Sequence, residues 1–198
     1  MTTRLAVLIS GSGTSLQNFI DKIEAGSLDA RIVVVIASRR NIAGIERAEK
    51  AGLHVEIVER RKFADADSFS EAITAAIEPQ DPDLVLLAGF LQKYLFPEKY
   101  HGRVLNIHPG LLPEYGGQGM YGHHVHEAVL AAGEPESGCT VIIADHEYDH
   151  GPTVLERRVP VLPGDTSDTL AARVFEAECE AYPEAVRMFA EGKLPAVR

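Results

Sequence analysis

The sequence predicts an α/β protein: a single-domain, open, doubly wound and mostly parallel sheet. Three observations carry that prediction. Short β-branched apolar runs alternate with helical patterns through the first hundred residues. The runs are apolar throughout rather than every second residue, the mark of strands buried on both faces. The first run stops at Gly11-Ser12-Gly13, a turn that can bring backbone close to a ligand before a helix starts.

Residues 5–10 read as the first strand. Leu16, Phe19, Ile20 and Ile23 then recur at helical spacing, and Thr14 with Gln17 matches a capping box. Residues 31–37 are a second strand, 41–51 a weak helix closed by Gly52, and 53–58 a third strand. Phe69, Ala72, Ile73, Ala76 and Ile77 make an apolar helical stripe that ends before Pro79. Residues 84–88 form the most apolar strand. The order β-α-β-α-β-α-β, with right-handed crossovers, gives a Rossmann-like N-terminal half. Beyond it, residues 103–108 run as a strand into Pro109, residues 110–122 are loop-like, and 123–132 look helical. Residues 138–144 and 153–159 read as strands and 167–190 as a long helix. No linker separates the halves. Residues 1–198 are taken as one domain, with 1–100 a nucleotide- or phosphate-binding half and 101–198 a catalytic half.

Composition excludes several function classes. The 198 residues carry 19 basic and 29 acidic side chains, a formal charge of −10. That balance argues against a nucleic-acid partner and leaves small anions held by local amides. The apolar runs are too short to span a membrane, and the N-terminus lacks the shape of a signal peptide. Cys139 and Cys179 stand 40 residues apart and frame neither a disulfide scaffold nor a CxxC motif. A soluble, cytoplasmic protein is expected, with a homodimer left open.

Four segments carry polar chemistry. Gly11-Ser12-Gly13-Thr14-Ser15 offers free helix-start amides and hydroxyls to an anion. Leu16 stands where a dinucleotide fingerprint wants a third glycine, so a terminal phosphate suits the loop better than a pyrophosphate. A plain capped turn would read the same way. Asn106 and His108 alternate onto one side of a strand, at the carboxyl end where open sheets bind ligands. They pair an amide donor with a group that moves protons near neutrality, or merely cap the turn at Pro109. Asp145-His146-Glu147-Tyr148-Asp149-His150-Gly151-Pro152 is a polar turn whose Asp149 could reach an imidazole on another strand. His123 and Glu127 are helical neighbours that could share a metal, but His124 and His126 point elsewhere on a regular helix. No metal is expected.

In order along the chain, Leu8-Ile9-Ser10-Gly11-Ser12-Gly13-Thr14-Ser15-Leu16-Gln17, Leu87-Ala88-Gly89-Phe90, Leu105-Asn106-Ile107-His108-Pro109-Gly110-Leu111-Leu112-Pro113 and Asp149-His150-Gly151-Pro152 resemble the folate-dependent formyltransferases. The resemblance covers nearly the whole chain. The Asn-Ile-His-Pro segment marks the family as a whole, and the glycine loop marks the purine-biosynthesis branch. It implies the formyltransferase fold and transfer of the formyl group of 10-formyltetrahydrofolate to the amine of 5-phosphoribosylglycinamide. It implies Asn106, His108 and Asp149 as catalytic residues. Gly11, Ser12, Gly13, Thr14, Ser15, Gly89 and Glu178 would bind the ribonucleotide. Leu91, Gln92, Lys93 and Tyr94, with Ala144, Asp145, Asn106 and Asp149, would bind the folate. Gln92, Ile142, Phe175 and Ala66 depart from the family pattern and bear on folate affinity and part of the phosphate contact. Gly116-Gly117-Gln118-Gly119-Met120-Tyr121-Gly122 looks like a variant insert. The alternatives are a sugar-nucleotide amine as acceptor, which the glycine loop disfavours, or a silent nucleotide-binding module. An acceptor tRNA would call for a further basic domain after residue 198, and a hydrolase for a regulatory domain before the first strand.

Overall fold

The computed structural model describes residues 2–197. Among them, seven strands form one sheet in the order β3-β2-β1-β4-β5-β6-β7. The strands are β1 (Thr3–Ile9), β2 (Ala30–Ala37), β3 (Val55–Ile57), β4 (Leu84–Leu87), β5 (Val104–His108), β6 (Glu136–Ile143) and β7 (Thr153–Pro160). The helices are α1 (Thr14–Glu24), α2 (Ala43–Lys50), α3 (Ala66–Ile77), α4 (His123–Ala132) and α5 (Ser167–Ala190). The chain divides into two compact units, Met1–Leu105 and Asn106–Arg198, so β5 begins in the first and ends in the second.

In the first unit β1 lies between β2 and β4 and is parallel to both. Leu5, Ala6, Val7, Leu8 and Ile9 are fully buried. That is why both faces of β1 had to be apolar. Leu16, Phe19 and Ile20 bury one side of α1, and Phe69, Ile73 and Ile77 one side of α3.

Three expectations need correction here. The Thr14–Gln17 capping box does not form: α1 starts from Gly13, whose backbone is left-handed (φ 70), with no side-chain cap. Gln17 instead donates to Asp21 and accepts from Arg47. The second helix starts at Ala43, not residue 41, because Asn41 is itself left-handed (φ 55). The third strand is only Val55–Ile57, at the sheet edge.

In the second unit β6 and β7 form an antiparallel hairpin, with Glu136 opposite Pro160 and Val141 opposite Leu155. The connection between them carries the polar turn at 144–152. A Cβ at Gly151 would come within 1.7 Å of the Ile143 carbonyl oxygen, so only glycine lets the turn fold back there. Helix α5 packs on β6, β7 and α4. Its start is a capping box between Thr166 and Thr169, reinforced by an Asp165–Arg173 ion pair that holds the Asp165 carboxyl well below its usual range.

Candidate active site

The last residues of β5 and the β6–β7 turn bring three polar side chains of the second unit to one point. The Asp149 carboxylate is the hub. Its Oδ1 accepts from Asn106 Nδ2 at 3.2 Å and lies 3.4 Å from His108 Nδ1. Its Oδ2 accepts from the Gly117 amide at 3.0 Å. Period-2 alternation on β5 puts Asn106 and His108 on the same side, as the sequence suggested, and the positive φ of Asp149 (53°) turns its side chain toward them. His108 is 3% exposed.

The second ring nitrogen of His108 has a partner that sequence reasoning missed. Nε2 stands 2.6 Å from the Tyr115 carbonyl oxygen. A carbonyl can only accept, so the geometry assigns the proton to Nε2 and leaves Nδ1 facing Asp149. No motif marks this contact, because it uses backbone. The nearest signal was the glycine content of residues 110–122. A Cβ at Gly110 would sit 3.1 Å from His108 Nε2, and one at Gly116 would sit 2.4 Å from Leu112 Cδ2 and 3.1 Å from Asp149 Cβ. The Thr140 hydroxyl fixes this loop, donating to the Gly110 carbonyl and accepting from the Leu112 amide.

The other predicted residues of the second unit surround different features. Ala144 is buried. Asp145 accepts from His150 Nδ1 at 2.7 Å and from the Glu147 amide, and this carboxylate pulls the His150 pKa up. Glu178 sits on α5, partly buried, and burial pushes its carboxyl up to about 8. Cys139 is buried, which pushes its thiol up to about 12, with the Glu178 charge acting the same way; it is no nucleophile.

The candidate anion loop lies in the first unit. Gly13 is buried while Ser12 and Thr14 are exposed, and the first turn of α1 carries no acidic residue. Arg47 donates to the Ser12 carbonyl at 3.0 Å and steadies the turn. The Gly89 segment begins beside it. The Ser10 amide donates to the Gly89 carbonyl, and the Leu91 amide donates to Ser10 Oγ, itself paired with Ser38 Oγ at 2.7 Å. Gln92 is half-buried and Lys93 exposed. Tyr94 lies inside the unit, 4% exposed, with its hydroxyl on Thr74 Oγ1.

The histidines of α4 do not converge. His123 pairs with Asp168 and His124 with Glu127, each at 3.7 Å. His126 is buried, its Nδ1 is without a partner, and burial lowers its pKa to about 4. Among the described residues no group of three or more His, Cys, Asp or Glu side chains could hold a metal. None of the described helices is long and apolar enough to cross a membrane.

A parallel-sheet unit whose first strand ends in a glycine turn, followed by a unit carrying an Asn–His–Asp cluster at a strand end, defines an α/β protein with a polar site at the carboxyl end of a strand. The chain belongs to the formyl transferase family, whose model matches residues 3–186. It is 35% identical over 193 residues to phosphoribosylglycinamide formyltransferase of Haemophilus influenzae, covering 96% of this chain and 89% of that protein. The solved structure of the phosphoribosylglycinamide formyltransferase of Coxiella burnetii, in complex with CHES, superposes with a TM-score of 0.91 at 38% identity, over 100% of this chain and 92% of that one. The trifunctional purine biosynthetic protein adenosine-3 of Bos taurus is 40% identical over 96% of this chain, but the chain spans only 18% of its length.

Proposed function

We propose that this protein transfers the formyl group of 10-formyltetrahydrofolate to the primary amine of 5-phosphoribosylglycinamide, a step of purine biosynthesis. The observation that carries this reading is the Asp149 carboxylate holding the Asn106 amide and the His108 ring at one point. The relatives named above support the choice of acceptor.

The amine attacks the formyl carbon, forming a C–N bond and placing negative charge on the formyl oxygen. The bond from that carbon to the folate N10 then breaks. Asn106 has two amide hydrogens; Asp149 takes one and fixes the plane of the group, leaving the other for the oxyanion. The amine loses one proton and N10 gains one. His108 is the group placed to carry that proton from the amine to N10, and the cation formed in passing lies 3.4 Å from the Asp149 carboxylate. The formyl group is already an activated acyl donor, so no Lewis acid enters these steps.

Gly11, Ser12, Gly13, Thr14 and Ser15 would take the phosphate on the first amides of α1. Gly89 and Glu178 would complete the ribonucleotide site, Glu178 through the ribose hydroxyls. The backbone of Leu91, Gln92, Lys93 and Tyr94, with Ala144, Asp145 and Asp149, would hold the folate. The partners are small molecules in the cytoplasm, and the charge of −10 disfavours nucleic acid.

The test is formyl transfer from 10-formyltetrahydrofolate with the ribonucleotide, water and a sugar-nucleotide amine offered together. Formylated ribonucleotide should dominate. A preference for the sugar nucleotide, or release of free formate alone, would overturn the assignment.

A further inference from the structure

Helix α2 backs the glycine loop and fixes which way its peptides face. The Gly44 amide, in the first turn of α2, donates to the Gly11 carbonyl at 3.1 Å. Three residues on, and so on the same face of the helix, Arg47 Nε donates to the Ser12 carbonyl at 3.0 Å. The contact is close: a Cβ at Gly44 would lie 3.1 Å from the Gly11 carbonyl oxygen, and one at Gly13 3.6 Å from Arg47 Cδ. Both loop peptides are trans, and in a trans peptide the N–H points opposite to the C=O. With the Gly11 and Ser12 carbonyls drawn to α2, the Ser12 and Gly13 amides point away from it, on one side. None of the amides of Ser12, Gly13, Thr14 and Ser15 has an acceptor among the described residues. Arg47 is half-buried, and its other bond is from Nη1 to Gln17 Oε1 at 3.3 Å. Among the described residues no carboxylate forms an ion pair with it, in a chain whose net charge is −10.

We propose that Arg47 is a positioning residue that makes the glycine loop select a phosphorylated acceptor, acting through the Ser12–Gly13 peptide. The inference rests on the function proposed above, which places the acceptor phosphate on this loop. Two effects run through the one peptide. The guanidinium fork, held at both Nε and Nη1, locks the peptide plane and with it the direction of the Gly13 amide. Its positive charge on the carbonyl also polarises the peptide, so the amide on the far side becomes a stronger donor. A phosphate dianion gains from both effects, whereas an uncharged ribose hydroxyl gains little. Arg47 therefore sets the preference for the phosphorylated substrate without touching the reacting atoms.

The experiment compares the whole protein with its Arg47→Met and Arg47→Lys variants. Titration calorimetry measures binding of 5-phosphoribosylglycinamide and, separately, of folic acid. Formyl transfer gives kcat/KM for the ribonucleotide and for its dephosphorylated riboside. Arg47→Met should bind the ribonucleotide about tenfold more weakly, the scale of one hydrogen bond to a charged group, with folic acid bound as before. Its preference for the ribonucleotide over the riboside should shrink by the same factor, and kcat at saturating ribonucleotide should stay near that of the parent. Lysine keeps the charge and the apolar stem but lacks the planar fork, so Arg47→Lys should remain about threefold weaker. It also carries the test if the methionine variant fails to fold, which the urea midpoint shows. Unchanged ribonucleotide affinity in either folded variant would overturn the proposal. So would equal losses for ribonucleotide and riboside, the mark of a merely structural role, or a fall in kcat at saturation. Full recovery with lysine would make charge alone sufficient and overturn the positioning role. If the parent fails to transfer formyl while its ribonucleotide affinity depends on Arg47 as stated, the proposed function falls and the role of Arg47 does not.

Discussion

Asp149 is a non-glycine residue held at φ 53, a conformation that Asp tolerates better than most side chains, and it accepts from two donors, the Asn106 amide and the Gly117 N–H, with the His108 ring 3.4 Å away. Its identity as an acid was legible in the sequence, and so was the pairing of Asn106 with His108 by alternation. The backbone partners were not, because Tyr115 and Gly117 contribute a carbonyl and an amide that any residue could supply. Glu178 gives a residue-scale prediction. Burial pushes its carboxyl in the folded chain up to about 8, from an ordinary value of 4.5. Between those pH values the folded state holds a proton that the unfolded chain releases, so this residue's contribution to stability falls as pH rises and levels off above the folded pKa. A Glu178→Gln variant should therefore match the parent Tm near pH 5 and exceed it increasingly toward pH 9. Scanning calorimetry across that range checks this; a constant difference would show that Glu178 is ionised throughout.

At the scale of elements, the glycine loop shows what a motif can hide. The sequence suggests that both glycines serve a ligand. In the structure Gly13 serves packing first: its Cβ would fall 2.6 Å from Gly44 Cα, and its φ of 70 already disfavours a side chain. Gly11 has open space around an added Cβ. The two substitutions should separate fold from binding. Gly13→Ala should destabilise the protein by roughly 2 kcal/mol or more, read from the denaturant midpoint. Gly11→Ala should keep that midpoint and raise the ribonucleotide KM, since a methyl there crowds the anion against the amides. If Gly11→Ala leaves the KM unchanged, the loop does not hold the phosphate. Helix existence was easy to read because α1, α3 and α5 carry clear apolar stripes. The start of α1 was misread because Thr14 and Gln17 satisfy the capping pattern locally, while contact with α2 decides the cap.

For the whole molecule, the order of elements was readable from solidly apolar strands and their spacing. The antiparallel return of β7 was not, because strand direction leaves no periodic trace when the connection is a polar turn. That return matters, since the turn it creates delivers Asp149 to β5. The central claim is that Asn106, His108 and Asp149 act as one unit in formyl transfer. Residues that act together lose activity together, so their substitutions do not add. The most direct measurement is kcat for His108→Ala, Asp149→Asn and the double variant, with binding of the ribonucleotide measured alongside. Each single variant should lose about 10²–10⁴-fold in kcat, the usual worth of a positioned proton-transfer group. The double variant should be little worse than the poorer single one, and ribonucleotide affinity should stay near that of the parent. Near-normal turnover in either single variant, or losses that multiply in the double, would contradict the account.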